Sequence, residues 1–267
     1  MANSTTTLPF QLAFATVAGR MHHLSGRNNQ DAYAWTQGPG GLIAVVCDGC
    51  GSGPHSEVGA QVGARLVAET MALQLAGGGD PAGEDFWQAA RASVLETLGG
   101  LAGVLGGNPV QAIADYLLFT IVGAVVTGKS ARCFSSGDGV IAINGAPTVI
   151  GPFEGNAPPY LAYALFEDQA ESYQFALQPA LPTSELQSLL LGTDGAAELL
   201  EVGAAGAFSQ LWTDDRVFDN PDYLRRRLFQ MARDVPQADF DQRELRIAPG
   251  QLGDDTTLIV LRREKGG

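Results

Sequence analysis

The sequence predicts an α+β fold: a four-layer α-β-β-α sandwich whose two central, mostly antiparallel sheets are flanked by helices, in a single domain spanning residues 1–267. Three observations lead there. Strand-like alternation occupies the N-terminal region and returns as several consecutive runs after residue 117, and consecutive strands favour antiparallel pairing. Two long helical stretches lie together between these β regions, instead of alternating with strands as in a doubly wound parallel sheet. A hydrophobic content of 45% with 17% charged residues suits a sizeable core, and no linker or internal repeat divides the chain.

Residues 1–8 read as a short flexible N-terminus, and residues 11–17 alternate as a first strand. Residues 32–35 and 42–46 form a hairpin about the turn 37–41, with Asp31 opening one strand and Asp48 closing the other. Ser56 is a suitable N-cap for a helix running to about Ala76, along which Val58, Val62 and Leu66 recur at four-residue spacing. The break Gly77-Gly78-Gly79-Asp80-Pro81 ends it; a second helix covers about 84–98 and a shorter one starts near Pro109. Strands follow at 117–126, 131–135, 140–144 and 148–150. Residues 151–184 form a long proline-bearing loop with one strand near 172–177. Residues 186–191 are a buried strand with a helical turn after Gly195, Asn220-Pro221 opens a helix with proline in the favoured first position, and 258–261 close the fold.

A net charge of −13 argues against nucleic acid and against anionic lipid as partners. The first residues lack the basic and apolar regions of a secretion signal, and the longest apolar run, 116–127, is well short of the ~20 residues of a membrane helix. With three cysteines, the expected location is the reducing cytoplasm.

The chemistry is concentrated in four acidic motifs: Asn29-Gln30-Asp31, Cys47-Asp48-Gly49, Thr193-Asp194-Gly195 and Gly253-Asp254-Asp255-Thr256-Thr257. Asp48, Asp194 and Asp255 stand where apolar strands stop or start. Any one Asp-Gly is an ordinary turn dipeptide. As a set, carboxylates converging from several strand ends suit a hard cation such as Mg²⁺ or Mn²⁺, and two such ions would clamp a phosphoryl group. Cys47-Asp48-Gly49-Cys50 is formally C-x-x-C, but no second pair supports zinc. Glycines 49, 51 and 53 lack the following Lys-Ser or Lys-Thr of a nucleotide loop, and no G-x-S-x-G occurs. The run Arg225-Arg226-Arg227 reads as a solvated face paired with Asp219 and Asp222, or as a docking patch for an acidic partner.

In order and spacing these motifs, with a fifth, Ser136-Gly137-Asp138-Gly139, among them, resemble the metal-dependent serine/threonine protein phosphatases of type 2C, in particular their compact bacterial branch, over residues 27–260. The resemblance implies two, or three, Mn²⁺ or Mg²⁺ ions. Asp48 would bridge two of them, the Gly49 carbonyl would bind one, and Asp194 and Asp254 would complete the other. Asp31 would act through metal-bound water, and Asp138 would hold a third, weaker ion; Asp255 is the second choice to Asp254. It further implies direct attack of a metal-bridging water on phosphoserine or phosphothreonine, a phosphorylated protein as substrate, a cognate kinase system and a monomer.

Three positions depart from the family pattern. Gly26 occupies the usual arginine position, which leaves the adjacent Arg27 as the phosphate-binding candidate. Gln30 often corresponds to glutamate. Cys50 stands where many relatives carry a histidine proposed as general acid; His55 or a metal-bound water could replace it, while His22 and His23, which could sit near the site mouth, are expected at the surface. Residues 151–184 correspond to where relatives place a variable flap beside the site, which makes residues 153–163 a candidate substrate-selecting region. The rival readings are a catalytically weak or inactive phosphatase-fold binding module, and a hydrolase of small phosphate esters.

Overall fold

The structure, a computed structural model, describes residues 8–265 apart from 39, 169, 202–204 and 241. Strands β1 (Phe10–Val17), β2 (Asp31–Gly38) and β3 (Gly41–Asp48) precede the long helices, with helix α1 (Arg20–Ser25) between β1 and β2. Helices α2 (Ser56–Ala76), α3 (Glu84–Leu105) and α4 (Pro109–Ala112) lead to β4 (Ile121–Val126), β5 (Ser130–Ser136), β6 (Gly139–Ile143) and β7 (Ala146–Ile150). The short strands β8 (Ala176–Leu177) and β9 (Leu181–Pro182) are followed by β10 (Ser188–Gly192). Helices α5 (Glu198–Glu201), α6 (Ala205–Thr213), α7 (Arg216–Asp219) and α8 (Tyr223–Ala232), the hairpin β11 (Val235–Asp239)–β12 (Glu244–Ala248), and β13 (Thr256–Arg263) complete the chain.

Beside the two-stranded β11–β12 hairpin, the strands build two large antiparallel sheets. One has the order β1-β13-β10-β6-β7; the other runs β2-β3-β4-β5-β8, with β9 also paired to β5. Alternation along each strand creates the layers, because successive side chains point to opposite faces. On β3, Leu42, Ala44 and Val46 pack inward against Ile141, Leu189, Leu191 and Ile259 of the other sheet. Ile43, Val45 and Cys47 point outward, into the layer of α2 and α3 with Val67, Met71, Val94 and Leu98. The outer face of the other sheet, Ala13, Ala15, Leu190 and Val260, is covered by Phe208, Leu211, Leu224 and Leu228 of α6 and α8. The predicted α-β-β-α sandwich is therefore the observed fold. No helix among the described residues is long and apolar enough to cross a membrane.

Several local expectations give way to packing. The apolar run Val58–Val62–Leu66 is not the buried face of α2: Val58 is exposed, whereas Gly59, Ala60, Gly63, Ala64 and Val67 are buried. Small residues are needed there because the helix lies tight against the segment before β4. A Cβ on Gly59 would fall 1.9 Å from the Tyr116 carbonyl, and one on Gly63 would fall 2.3 Å from the Phe119 ring. Ser56 is the first residue of α2 and not its cap; its hydroxyl accepts from Gln30 Nε2 at 2.7 Å. Pro221 precedes α8 by a turn, and Asp222 occupies the cap position. Arg225 pairs with Asp222 at 3.2 Å, as a solvated helix face would. Cys47 and Cys133 are small buried residues. Leu8 is buried in the inter-sheet core, while the remainder of the predicted flexible terminus lies outside the described residues.

Candidate metal centre

The strand registers place all five acidic motifs on one edge of the sandwich. Asp31 opens β2 directly opposite Asp48, which closes β3. The end of β5 faces the start of β4 through Ile121–Ser136, and the chain crosses from there to the other sheet by way of Asp138. Gly192 at the end of β10 faces Val140 at the start of β6 and Leu258 near the start of β13, so Asp194 and Asp254 leave the second sheet at the same edge. Antiparallel pairing makes strand starts and strand ends neighbours, which is why carboxylates so distant in sequence meet.

Asp48, Gly49, Asp138, Asp194 and Asp254 line one recess of about 150 Å³. Gly49 is irreplaceable by shape: a Cβ there would lie 2.5 Å from the Ser56 carbonyl. Among the described residues lining the recess there is no lysine or arginine, so its four carboxylates repel one another unneutralised. Burial, then the charges of Asp31, Asp194 and Asp254, holds Asp48 well above the ordinary carboxylate range. Asp194 is pushed up to about 7 by burial and then by Asp254 and Asp138, and burial raises Asp138.

Asp31 lies behind the recess, 5% exposed. Its Oδ2 accepts from Thr193 Oγ1 at 2.7 Å, while Oδ1 is buried with no hydrogen-bond partner. Burial raises this carboxyl well above the usual range despite the Thr193 hydrogen bond. An orphaned carboxylate oxygen among further carboxylates is a donor set for a hard divalent cation. The residues present therefore fit Mn²⁺ or Mg²⁺: Asp48, Gly49, Asp194 and Asp254 could hold two ions with Asp31 behind them, and Asp138 stands beside the same space.

Asp254 and Asp255, adjacent in sequence, have separate places. Asp254 is exposed to the recess, whereas Asp255 is 2% exposed and fully engaged. Asp255 Oδ1 accepts from the Gly19 amide at 2.8 Å; Oδ2 accepts from the Gln30 amide at 2.6 Å and meets His22 Nδ1 at 2.8 Å. His22, Asp254 and Asp255 offer ligand atoms within 4.8 Å of one another, but both Asp255 oxygens are already committed, so this trio is a hydrogen-bonded cluster and not an open ligand set.

Other site residues expected from sequence scatter around the recess. His55 does not line it; the ring is stacked on Tyr116 at 4.7 Å, and the residue caps α2 at the surface. Arg27 lines a neighbouring recess with Asn28 and Glu57, and its guanidinium donates to the Gly51 carbonyl at 2.8 Å on the shared rim. Cys50 is half-buried, 3.1 Å from Ser52 Oγ. Burial raises its thiol, yet hydrogen bonds from Ser52, Tyr160 and nearby amides bring it below its ordinary value. From the proposed flap, Asn156, Pro158 and Tyr160 line the acidic recess. His22 also lines it and is not at the open surface as expected. Neither its helix α1 nor its partner Asp255 could be read from periodicity; the only available signal was the acidic doublet Asp254-Asp255, whose two members must differ in role.

The chain belongs to the protein phosphatase 2C family, whose family model matches residues 18–235. No curated protein matches the sequence. Solved structures share the fold at low identity. A bacterial serine phosphatase superposes with a TM-score of 0.57 at 19% identity, covering 96% of this chain and 98% of that one. PppA, a key regulatory component of T6SS in Pseudomonas aeruginosa, gives 0.55 at 20% identity, with 96% and 98% covered. The Mycobacterium tuberculosis serine/threonine phosphatase PstP/Ppp gives 0.55 at 16% identity, with 96% and 99% covered. The PstP catalytic domain has been solved in complex with two manganese ions.

Proposed function

We propose that this protein is a Mn²⁺- or Mg²⁺-dependent phosphatase that hydrolyses phosphoserine and phosphothreonine in proteins phosphorylated by a cognate kinase. The observation that carries this reading is the recess of four carboxylates without a lysine or arginine, at the sheet edge of a protein phosphatase 2C fold. Such a recess repels a phosphate dianion until cations occupy it. When bound, the cations supply the positive charge that attracts the phosphate oxygens and acidifies water.

The protein's own residues set the rest. Asp48, Asp194 and Asp254 hold the cations, and Gly49 keeps the backbone close by excluding a side chain. Asp31, anchored by Thr193, adds negative charge from behind without occupying the substrate space. Arg27 reaches the rim beside Gly51, where a bidentate guanidinium can bind a phosphate entering the recess. Among the described lining residues only Tyr160 carries a hydroxyl and none a thiol, and burial raises the Tyr160 phenol far above its ordinary value. The lining thus offers no seryl, threonyl or cysteinyl nucleophile, and its carboxylates are given to the cations, which favours direct transfer of the phosphoryl group to water.

The test is turnover by purified protein with saturating Mn²⁺. Phosphothreonine peptides and p-nitrophenyl phosphate should both release phosphate, and Asp48→Asn should lower both by more than about 10²-fold. No turnover above the variant's background would refute the enzyme reading in favour of a binding module. Turnover of the small ester alone would refute the protein substrate.

A further inference from the structure

We infer that His22 donates the proton to the leaving oxygen as the phosphate ester breaks, with Asp255 as the residue that positions it; this rests on the phosphatase reading above. His22 sits on α1, a helix of six residues with none buried, too lightly packed to fix a side chain by itself. The segment 252–255 fixes it. The Arg20 and Met21 amides donate to the Leu252 and Gly253 carbonyls at 2.9 and 3.0 Å, and Gly19 comes so near that a Cβ there would lie 2.2 Å from the Asp254 backbone. Arg20 ties the same helix to Asp234 at 2.5 Å.

Within this frame the Asp255 carboxylate meets His22 Nδ1 at 2.8 Å while the Gly19 and Gln30 amides pin the carboxylate itself. A carboxylate only accepts, so Nδ1 carries a hydrogen, and Nε2 is the ring's remaining nitrogen. Such a pair fixes the ring's orientation and leaves Nε2 as the nitrogen free to face the recess. The His22 side chain is 13% exposed, and it is the one imidazole among the described residues lining the carboxylate recess. His55, stacked on Tyr116, and Cys50 are both absent from that lining.

The step balances simply. A P–O bond forms to water as the P–O bond to the seryl or threonyl oxygen breaks. The electron pair of the broken bond stays on that oxygen, which takes the proton from Nε2. The imidazole recovers a proton from the water consumed, so the products are the free hydroxyl side chain and hydrogen phosphate. An alkoxide is a poor leaving group and needs this proton; p-nitrophenolate does not.

His22→Asn tests the assignment, because its amide can keep the bond to Asp255 while Nε2 is lost. With saturating Mn²⁺, kcat on a phosphothreonine peptide should fall about 10²–10³-fold while kcat on p-nitrophenyl phosphate stays within about threefold. His22→Gln should behave alike, and Asp255→Asn should show the same selectivity to a smaller extent. Calorimetry should give His22→Asn the Mn²⁺ affinity of the natural protein, which also establishes that the variant is folded. Loss of Mn²⁺ binding would make His22 a ligand and overturn the proposal. An equal fall on both substrates, or no fall on the peptide, would overturn it too. Natural protein inactive on both substrates refutes the phosphatase reading, and this inference with it.

Discussion

The Thr193 hydroxyl, on the turn after β10, donates to Oδ2 of Asp31, at the start of β2, at 2.7 Å. Thr193 Oγ1 itself accepts from the Thr257 amide of β13 at 3.0 Å. One side chain thus ties the opening of one sheet to the edge of the other, immediately behind the carboxylate recess. Thr257 continues the link through Thr16 to Asn29, whose side chain in turn accepts from the Asp31 amide.

Thr193→Val should therefore act on both stability and metal binding. It leaves the Thr257 amide and Asp31 Oδ2 buried without these partners, a loss of about 1–3 kcal/mol. Urea unfolding should report that loss in metal-free protein. Mn²⁺ titration should show weaker binding, because Asp31 no longer has the donor that favours its charged form.

Stability of the metal-free protein should fall as pH rises. Asp31 and Asp48 are raised well above the carboxylate range and Asp194 to about 7, so the folded state binds protons that the unfolded chain releases near pH 4. That contribution is fully present below about pH 4 and, for Asp194, is lost as pH passes about 7. Melting in chelator should accordingly show Tm decreasing across this window. Adding Mn²⁺ should raise Tm more at pH 7 than at pH 5, since cations compete with protons for these oxygens. A flat chelated profile would contradict the burial of uncompensated charge.

The acidic doublet should separate cleanly on mutation. Asp254→Asn should reduce Mn²⁺ affinity by more than about tenfold and leave metal-free stability nearly unchanged, because its side chain faces the recess. Asp255→Asn should instead cost about 1–3 kcal/mol, since a buried acceptor of Gly19 and Gln30 amides is impaired. Paired calorimetry and chemical denaturation would distinguish them, and reversed effects would exchange the roles assigned here.

Gly59→Ala should destabilise by about 1–3 kcal/mol or more, since its Cβ would collide with the Tyr116 carbonyl at 1.9 Å. The effect should extend to the site. The segment after Tyr116 carries the Leu118 carbonyl that accepts from Cys50 and the Thr120 amide that donates to Asp48. A thermal melt and a Mn²⁺ titration on one sample would show both losses.

The layers were legible because period-two alternation in residues 42–46 and 258–261 encodes which face a side chain takes, and glycine breaks marked the helix ends. The carboxylates were legible as a set through their positions beside apolar strands. Helix α1 was not, since six residues without a buried face leave no periodic signal. Nor was the buried face of α2, where Gly59 and Gly63 are chosen for close approach and hydropathy is silent. The pairing of His22 with Asp255 escaped for a related reason: it spans nearly the whole chain and depends on tertiary seating, not on local pattern.

The pairing of β1 with β13 sets which end of the sandwich lies farthest from the recess. Val17 and Thr256 lie side by side at the carboxylate edge, so Phe10 and Arg263 lie side by side at the opposite end of the same two strands. Eight residues of extended chain separate the two ends by roughly 25 Å. A linkage made beside Phe10 or Arg263 would thus hold the molecule by its far side and leave the recess facing outward.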